Sequence, residues 1–139
     1  MLDIEPAVPS DRAEHRLLAI VADDEAEVRR LVAEVLAEAG FETLSARDGF
    51  ELVDLATRHR PQLIVADVMM PGMDGYTAIA RLRGQPETAP IPIIMLTGCI
   101  DPAYGQLSEG MGASAHVTKP FSPQLLCELA QEMVRRSRV

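Results

Sequence analysis

The sequence predicts an α/β fold: a doubly wound, five-stranded parallel sheet flanked by five helices. Three observations lead there. Short apolar runs alternate with amphipathic stretches along the whole chain. The runs are apolar almost throughout, as strands buried on both faces must be. Polar side chains follow several of these runs at their carboxyl ends, the edge where open parallel sheets bind ligands.

The elements follow in order. Residues 1–15 carry acids and prolines and read as a mobile N-terminal extension, leaving 16–139 as one domain. Leu17 to Ala22 is the first strand. Glu25 to Ala39 has the helical spacing of Val28, Leu31, Val32, Val35, Leu36 and Ala39, all expected to face inward, with Gly40 as its stop. Phe41 to Ser45 is the second strand. Asp48-Gly49 marks a turn, and Phe50 to His59 forms a helix with Leu52, Val53, Leu55 and Ala56 inward, ended by Pro61. Leu63 to Ala66 is the third strand, closing on Asp67. A Met-, Pro- and Gly-rich loop leads to a helix over Gly75 to Arg83. Ile91 to Leu96 is the fourth strand. Asp101 has the place of an N-cap and Pro102 that of a first helical residue. The helix to Glu109 should be the weakest, because Gly105 costs about 1 kcal/mol against Ala. Ala115 to Thr118 is the fifth strand. Ser122 caps a last helix from Pro123, with Leu125, Leu126, Leu129 and Met133 inward.

Composition excludes several classes. The 139 residues are 47% hydrophobic but only 4% aromatic, without Trp, so one aliphatic core is expected. A net charge of −8 argues against direct nucleic-acid binding, which draws on basic surface. Arg135, Arg136 and Arg138 read as a solvated helix end that complements the helix dipole. Cys99 and Cys127 form neither a metal pattern nor a disulfide framework, consistent with a reducing cytoplasm. No run approaches the roughly 18 apolar residues of a membrane span, and the N-terminus lacks signal-peptide character. A cytoplasmic protein without membrane insertion is therefore expected.

The strand ends carry the chemistry. Strand one ends in Asp23-Asp24, strand three in Asp67, strand four in Thr97 and strand five in Lys119. Three carboxylates brought together repel one another unless a cation is supplied. Mg²⁺ suits a few carboxylates, a carbonyl, waters and a phosphate. A carboxylate can attack phosphorus and form an aspartyl phosphate. Lys119 and the Thr97 hydroxyl would then meet the phosphoryl oxygens. Taken singly, each residue also fits a plainer role. Asp24 could be an N-cap paired with Glu27, Asp23 a loop acid, Asp67 a turn residue, Thr97 a strand-end hydroxyl, and Lys119 a surface lysine. Their coincidence on one edge favours the chemical reading.

Four segments carry a family resemblance: Val21-Ala22-Asp23-Asp24-Glu25, Asp67 through Gly75 (DVMMPGMDG), Met95-Leu96-Thr97-Gly98 and Val117-Thr118-Lys119-Pro120-Phe121. Over roughly residues 16–136 the chain resembles the receiver domains of two-component response regulators, closest in layout to single-domain chemotaxis-type receivers. The resemblance implies a flavodoxin-like strand order 2-1-3-4-5. It implies Asp67 as phosphoacceptor, Asp23 and Asp24 with Asp67 and the Met69 backbone carbonyl around Mg²⁺, and Thr97 and Lys119 on the phosphoryl group. The Lys119–Pro120 bond is expected to be cis. The implied partners are a histidine kinase or phosphotransfer protein. A downstream protein would dock on the face made by the helix from Pro102, the fifth strand and the last helix. The domain is not expected to be an enzyme, although it would assist its own phosphorylation and dephosphorylation.

Two positions depart from the family pattern. His116 stands where an aromatic switch residue, Tyr or Phe, is usual. It can titrate near neutrality and serve the switch with Thr97, or be an ordinary strand histidine. Gly98 replaces a common Ala. The chain is expected either to act alone through protein contacts or to belong to a longer regulator or hybrid kinase.

Rival readings fit less well. A haloacid-dehalogenase-like phosphatase would place its nucleophile after strand one in an Asp-x-Asp pattern. A flavin-binding flavodoxin would need a phosphate loop where Asp23 and Asp24 stand. A receiver fold serving as a constitutive, unphosphorylated interaction module has no obvious use for the intact acidic set.

Overall fold

A computed structural model describes residues 17–98 and 112–137. The expected N-terminal extension, Cys99, the helix from Pro102 to Glu109 and Arg138 lie outside the described residues. Five strands form one parallel sheet: β1 (Leu17–Ala22), β2 (Phe41–Ala46), β3 (Leu63–Asp67), β4 (Ile93–Thr97) and β5 (Ala115–Thr118). Their order is β2-β1-β3-β4-β5, as the resemblance implied. Four helices are described among them: α1 (Ala26–Glu38), α2 (Gly49–His59), α3 (Gly75–Arg83) and α4 (Pro123–Ser137).

The apolar strands feed two cores because successive side chains point to opposite faces. Ile20, Ala22, Ile64, Ala66, Ile93 and Met95 meet Leu52 and Ala56 of α2 and Ala78, Ile79 and Leu82 of α3 on one face. Ala19, Val21, Leu63, Val65, Ile94 and Leu96 meet Val32, Val35 and Leu36 of α1 and Leu126, Ala130 and Met133 of α4 on the other. Both faces of β1, β3 and β4 are covered, which is why these three read as continuous apolar runs, whereas the edge strands β2 and β5 carry polar, partly exposed residues.

Several boundaries and burials differ from expectation for identifiable reasons. β4 begins at Ile93 because Pro92 has no amide hydrogen for the ladder; its carbonyl instead accepts from Ile64 N at 3.0 Å. Asp48-Gly49 is the start of α2 rather than a separate turn: the Asp48 side chain accepts from Glu51 N at 2.9 Å, and Gly49 is the first helical residue. Helix α1 starts one residue later than expected. Its N-cap is Glu25, so Asp24 is not the cap. Leu31 is 44% exposed and Leu125 53% exposed, against the expectation that both face inward. Each lies just outside a buried stripe that Val32, Val35 and Leu36, or Leu126, Ala130 and Met133, already fill.

Register places the polar ends. Ala22 pairs with Ala66, so the next residues, Asp23 and Asp67, stand level. Asp67 pairs with Leu96, and Thr97 with Thr118. Lys119 therefore stands just beyond the acidic pair, its amide donating to the Thr97 carbonyl at 2.6 Å.

Candidate functional site

Strand ends, one loop and one close approach build the site. Asp23 is fully buried and Asp67 is 5% exposed, whereas Asp24 is exposed. Asp23 Oδ1 accepts from Glu25 N at 2.9 Å, and Asp67 Oδ1 from Met69 N at 3.3 Å. Each of these two acids thus spends one oxygen on its own loop. Their other oxygens share Lys119, whose Nζ lies 3.1 Å from Asp23 Oδ2 and 3.2 Å from Asp67 Oδ2. Glu25 stands at the edge of this group, 4.0 Å from the same Nζ. The Lys119–Pro120 peptide bond is cis.

The loop after β3 is tight. Gly75 N donates to the Val68 carbonyl at 2.9 Å, turning the chain into α3 directly behind Asp67. A Cβ on Gly75 would stand 2.4 Å from the Asp67 carbonyl oxygen, so only glycine fits. Asp74 caps α3 by accepting from Thr77 N at 2.8 Å. Met69 projects from this loop 74% exposed, while Met70 and Met73 are buried.

The electrostatics follow from burial. Burial pushes the Asp67 carboxyl above the usual range, the Asp23 charge pushes it further, and Lys119 opposes both. Burial also works against the charge of Lys119, yet the hydrogen bond to Asp23 and the two carboxylate charges hold its ammonium above the ordinary lysine value. One lysine cannot neutralise the set. Asp23, Asp24 and Asp67 each offer an oxygen, all within 4.8 Å of one another. Hard oxygen donors at this spacing, with surplus negative charge, fit a divalent cation such as Mg²⁺.

Thr97 is 5% exposed at the end of β4, on the same edge. His116 does not join the cluster. It is half-buried on β5, pairs with Met95 in register, and lines a groove of about 560 Å³ together with Phe121, Leu125 and Leu129. Sequence reasoning did not single out Arg29. Its guanidinium donates to the Asp23 carbonyl at 2.6 Å from the second turn of α1. Nothing in the local pattern marks it, since Arg30 beside it is equally suited to a helix surface.

Comparison with known proteins decides the family. Residues 19–131 match the model of the response regulator receiver domain. The chain belongs to that family. As a receiver it is a phosphoacceptor domain of two-component signalling. It is 38% identical over 117 residues to the "Probable transcriptional regulator ycf27" of Porphyridium aerugineum, covering 84% of this chain and 48% of that protein. It is 34% identical to the DNA-binding dual master transcriptional regulator RpaA of Synechocystis sp., covering 85% of this chain and 49% of that one. Among solved structures, the chemotaxis response regulator CheY4 of Vibrio cholerae superposes with a TM-score of 0.80 at 32% identity, covering 85% of this chain and 98% of that one. The receiver therefore spans about half the length of the curated relatives it matches. The expectation of no nucleic-acid contact finds no support in those relatives, which are named as transcriptional regulators. Among the described residues no helix is long and apolar enough to cross a membrane.

Proposed function

We propose that Asp67 is the phosphoacceptor, that Asp23, Asp24, Asp67 and the Met69 carbonyl hold Mg²⁺, and that Lys119 and Thr97 contact the transferred group. The bridge of Lys119 between Asp23 and Asp67, with Asp24 within metal-sharing distance, carries this reading. The donor is a phosphohistidine of a histidine kinase or phosphotransfer protein. Its N–P bond breaks as an Asp67 Oδ–P bond forms, and the electron pair leaves on the imidazole nitrogen. A bound Mg²⁺ would offset the negative charge that gathers on the phosphoryl oxygens. Lys119, already held between two carboxylates, turns one of its donors to a phosphoryl oxygen. Burial of Asp67 keeps bulk water from competing for the carboxylate.

Phosphorylation then shifts a conformational population. Thr97 moves toward the new phosphoryl oxygen, and His116 on the adjoining strand follows. The output face includes β5 and α4. Its support is the groove lined by His116, Phe121, Leu125 and Leu129.

The test is phosphorylation by acetyl phosphate in the presence of Mg²⁺. The wild type should take the label, Asp67→Asn should lose it, and Asp24→Ala should lose it while remaining folded. No label from acetyl phosphate or from a phosphohistidine donor would make the chain a constitutive interaction module instead. Full labelling of Asp24→Ala would remove Asp24 from the metal site.

A further inference from the structure

We infer that Arg29 is a positioning residue for the metal site, acting through the Asp23–Asp24 peptide. The inference rests on the metal assignment proposed above. Asp23 is fully buried, and its polar groups are all occupied. Its amide donates to the Ala46 carbonyl at 3.1 Å, Oδ1 accepts from Glu25 N, and Oδ2 accepts from Lys119. The Asp23 carbonyl accepts from Arg29 Nη1 at 2.6 Å. This carbonyl belongs to the peptide plane that leads into Asp24.

Asp24 is the member of the acidic triad that depends most on its backbone. It is exposed, and its carboxylate has no hydrogen bond or ion pair among the described residues. Asp23 is held by its own side-chain contacts and Asp67 by Lys119 and the Met69 amide. Asp24 has only the direction in which its main chain presents it. The Asp23 carboxylate spans that main chain by accepting from Glu25 N, and Arg29 is the side chain that holds the Asp23–Asp24 peptide itself, through its carbonyl. Its own amide donates to the Glu25 carbonyl at 3.0 Å, so α1 anchors the residue while the guanidinium reaches back over the acidic turn.

Two effects of opposite sign compete at Arg29. Its positive charge disfavours a divalent cation nearby. Its hydrogen bond preorganises an oxygen donor for that cation. The charge is screened by solvent around a half-buried side chain, whereas freeing a buried carbonyl lets the peptide rotate and turns Asp24 away. Preorganisation wins, and removal of Arg29 weakens metal binding.

The experiment is a Mg²⁺ titration of the full chain followed by amide chemical shifts, which reads binding without phosphorylation. Arg29→Gln should raise the Mg²⁺ dissociation constant about 10-fold, the lower end of the range for residues that orient metal ligands. In an Asp24→Ala background the same substitution should have little further effect, because Arg29 acts through Asp24. Equal or tighter binding by Arg29→Gln overturns the inference, as does an undiminished effect in the Asp24→Ala background. Should Arg29→Gln fail to fold, Arg29→Lys gives the same comparison. Its shorter point charge should raise the dissociation constant several-fold, and an unchanged constant would again be decisive against the inference. A wild type that binds no Mg²⁺ would instead remove the metal assignment itself.

Discussion

Asp67→Asn should stabilise the fold at neutral pH in the absence of divalent cation. The substitution keeps the shape of the side chain and removes one charge from a nearly closed site. Asp23 and Asp67 offer oxygens no more than 4.8 Å apart, a repulsion of about 3.5 kcal/mol at an effective dielectric constant of about 20. Lys119 at 3.2 Å from Asp67 returns about 5 kcal/mol on the same scale. The attraction exceeds the repulsion by about 1.5 kcal/mol, so the sign depends on whether the cost of burying the Asp67 charge, several kcal/mol for an ion in a protein interior, is larger than that remainder. In the variant Lys119 keeps its contact with Asp23, so no lone charge is left behind. Because the Asp67 carboxyl is held above its ordinary range, burial is expected to outweigh the Lys119 attraction and the variant to gain stability, measured as a raised urea midpoint at unchanged slope.

The pH dependence has a definite direction. The Asp67 carboxyl titrates above its ordinary value of 3.8 in the folded protein. Below the unfolded value both states are protonated and the wild type bears no penalty. As pH rises through the raised folded value, the wild type loses this stability and the variant does not. The advantage of Asp67→Asn should therefore vanish in acid and be full at neutrality. Saturating Mg²⁺ should narrow it, because the cation binds the folded wild type more tightly. A variant less stable than wild type at pH 7 without Mg²⁺ would show that the Lys119 ion pair outweighs burial.

Two further substitutions test the loop that carries Asp67. In Gly75→Ala the new methyl would stand 2.4 Å from the Asp67 carbonyl oxygen and 2.7 Å from Met95 Cε. The helix-propensity gain of about 1 kcal/mol is smaller than the strain, so urea unfolding should show a net loss of about 2 kcal/mol; equal stability would mean that the loop relaxes freely. Met69→Asn, at an exposed position whose amide already contacts Asp67, should shorten the lifetime of the phosphorylated form. A thioether is a poor hydrogen-bond partner for the attacking water and an amide is a good one. Release of phosphate at an unchanged or slower rate would contradict that account.

The strands, their parallel arrangement and the edge that carries the chemistry were legible in the sequence. Each depends on local information. Leu63 to Ala66, short, apolar and bounded by Pro61 and Asp67, reads as a strand buried on both faces, and an open parallel sheet binds ligands at the edge where such a run stops. The loop over residues 67–75 was equally legible, because its Pro and Gly residues answer backbone demands that few others meet. Burial at the margins of helix stripes was less so. Leu31 and Leu125 satisfy helical periodicity but lie outside the contact their helices make. Periodicity gives the direction of an apolar face, and packing sets its width.

Asp24 alone fitted an N-cap as well as a metal ligand. The fold removes the N-cap reading, because Glu25 takes the cap position, and it brings Asp24 within reach of the other two carboxylates. Lys119 and Asp23 are 96 positions apart in sequence and 3.1 Å apart in the fold. Arg29 was invisible as a site residue because its partner is a backbone carbonyl, which has no letter in the sequence. Sequence by itself determined which residues end the strands, since hydrophobic runs and turns are short-range properties. Tertiary structure alone decided which of those ends stand level. Register aligns Asp23 with Asp67, and moving one strand by a single residue would turn its side chains to the opposite face and dissolve the site.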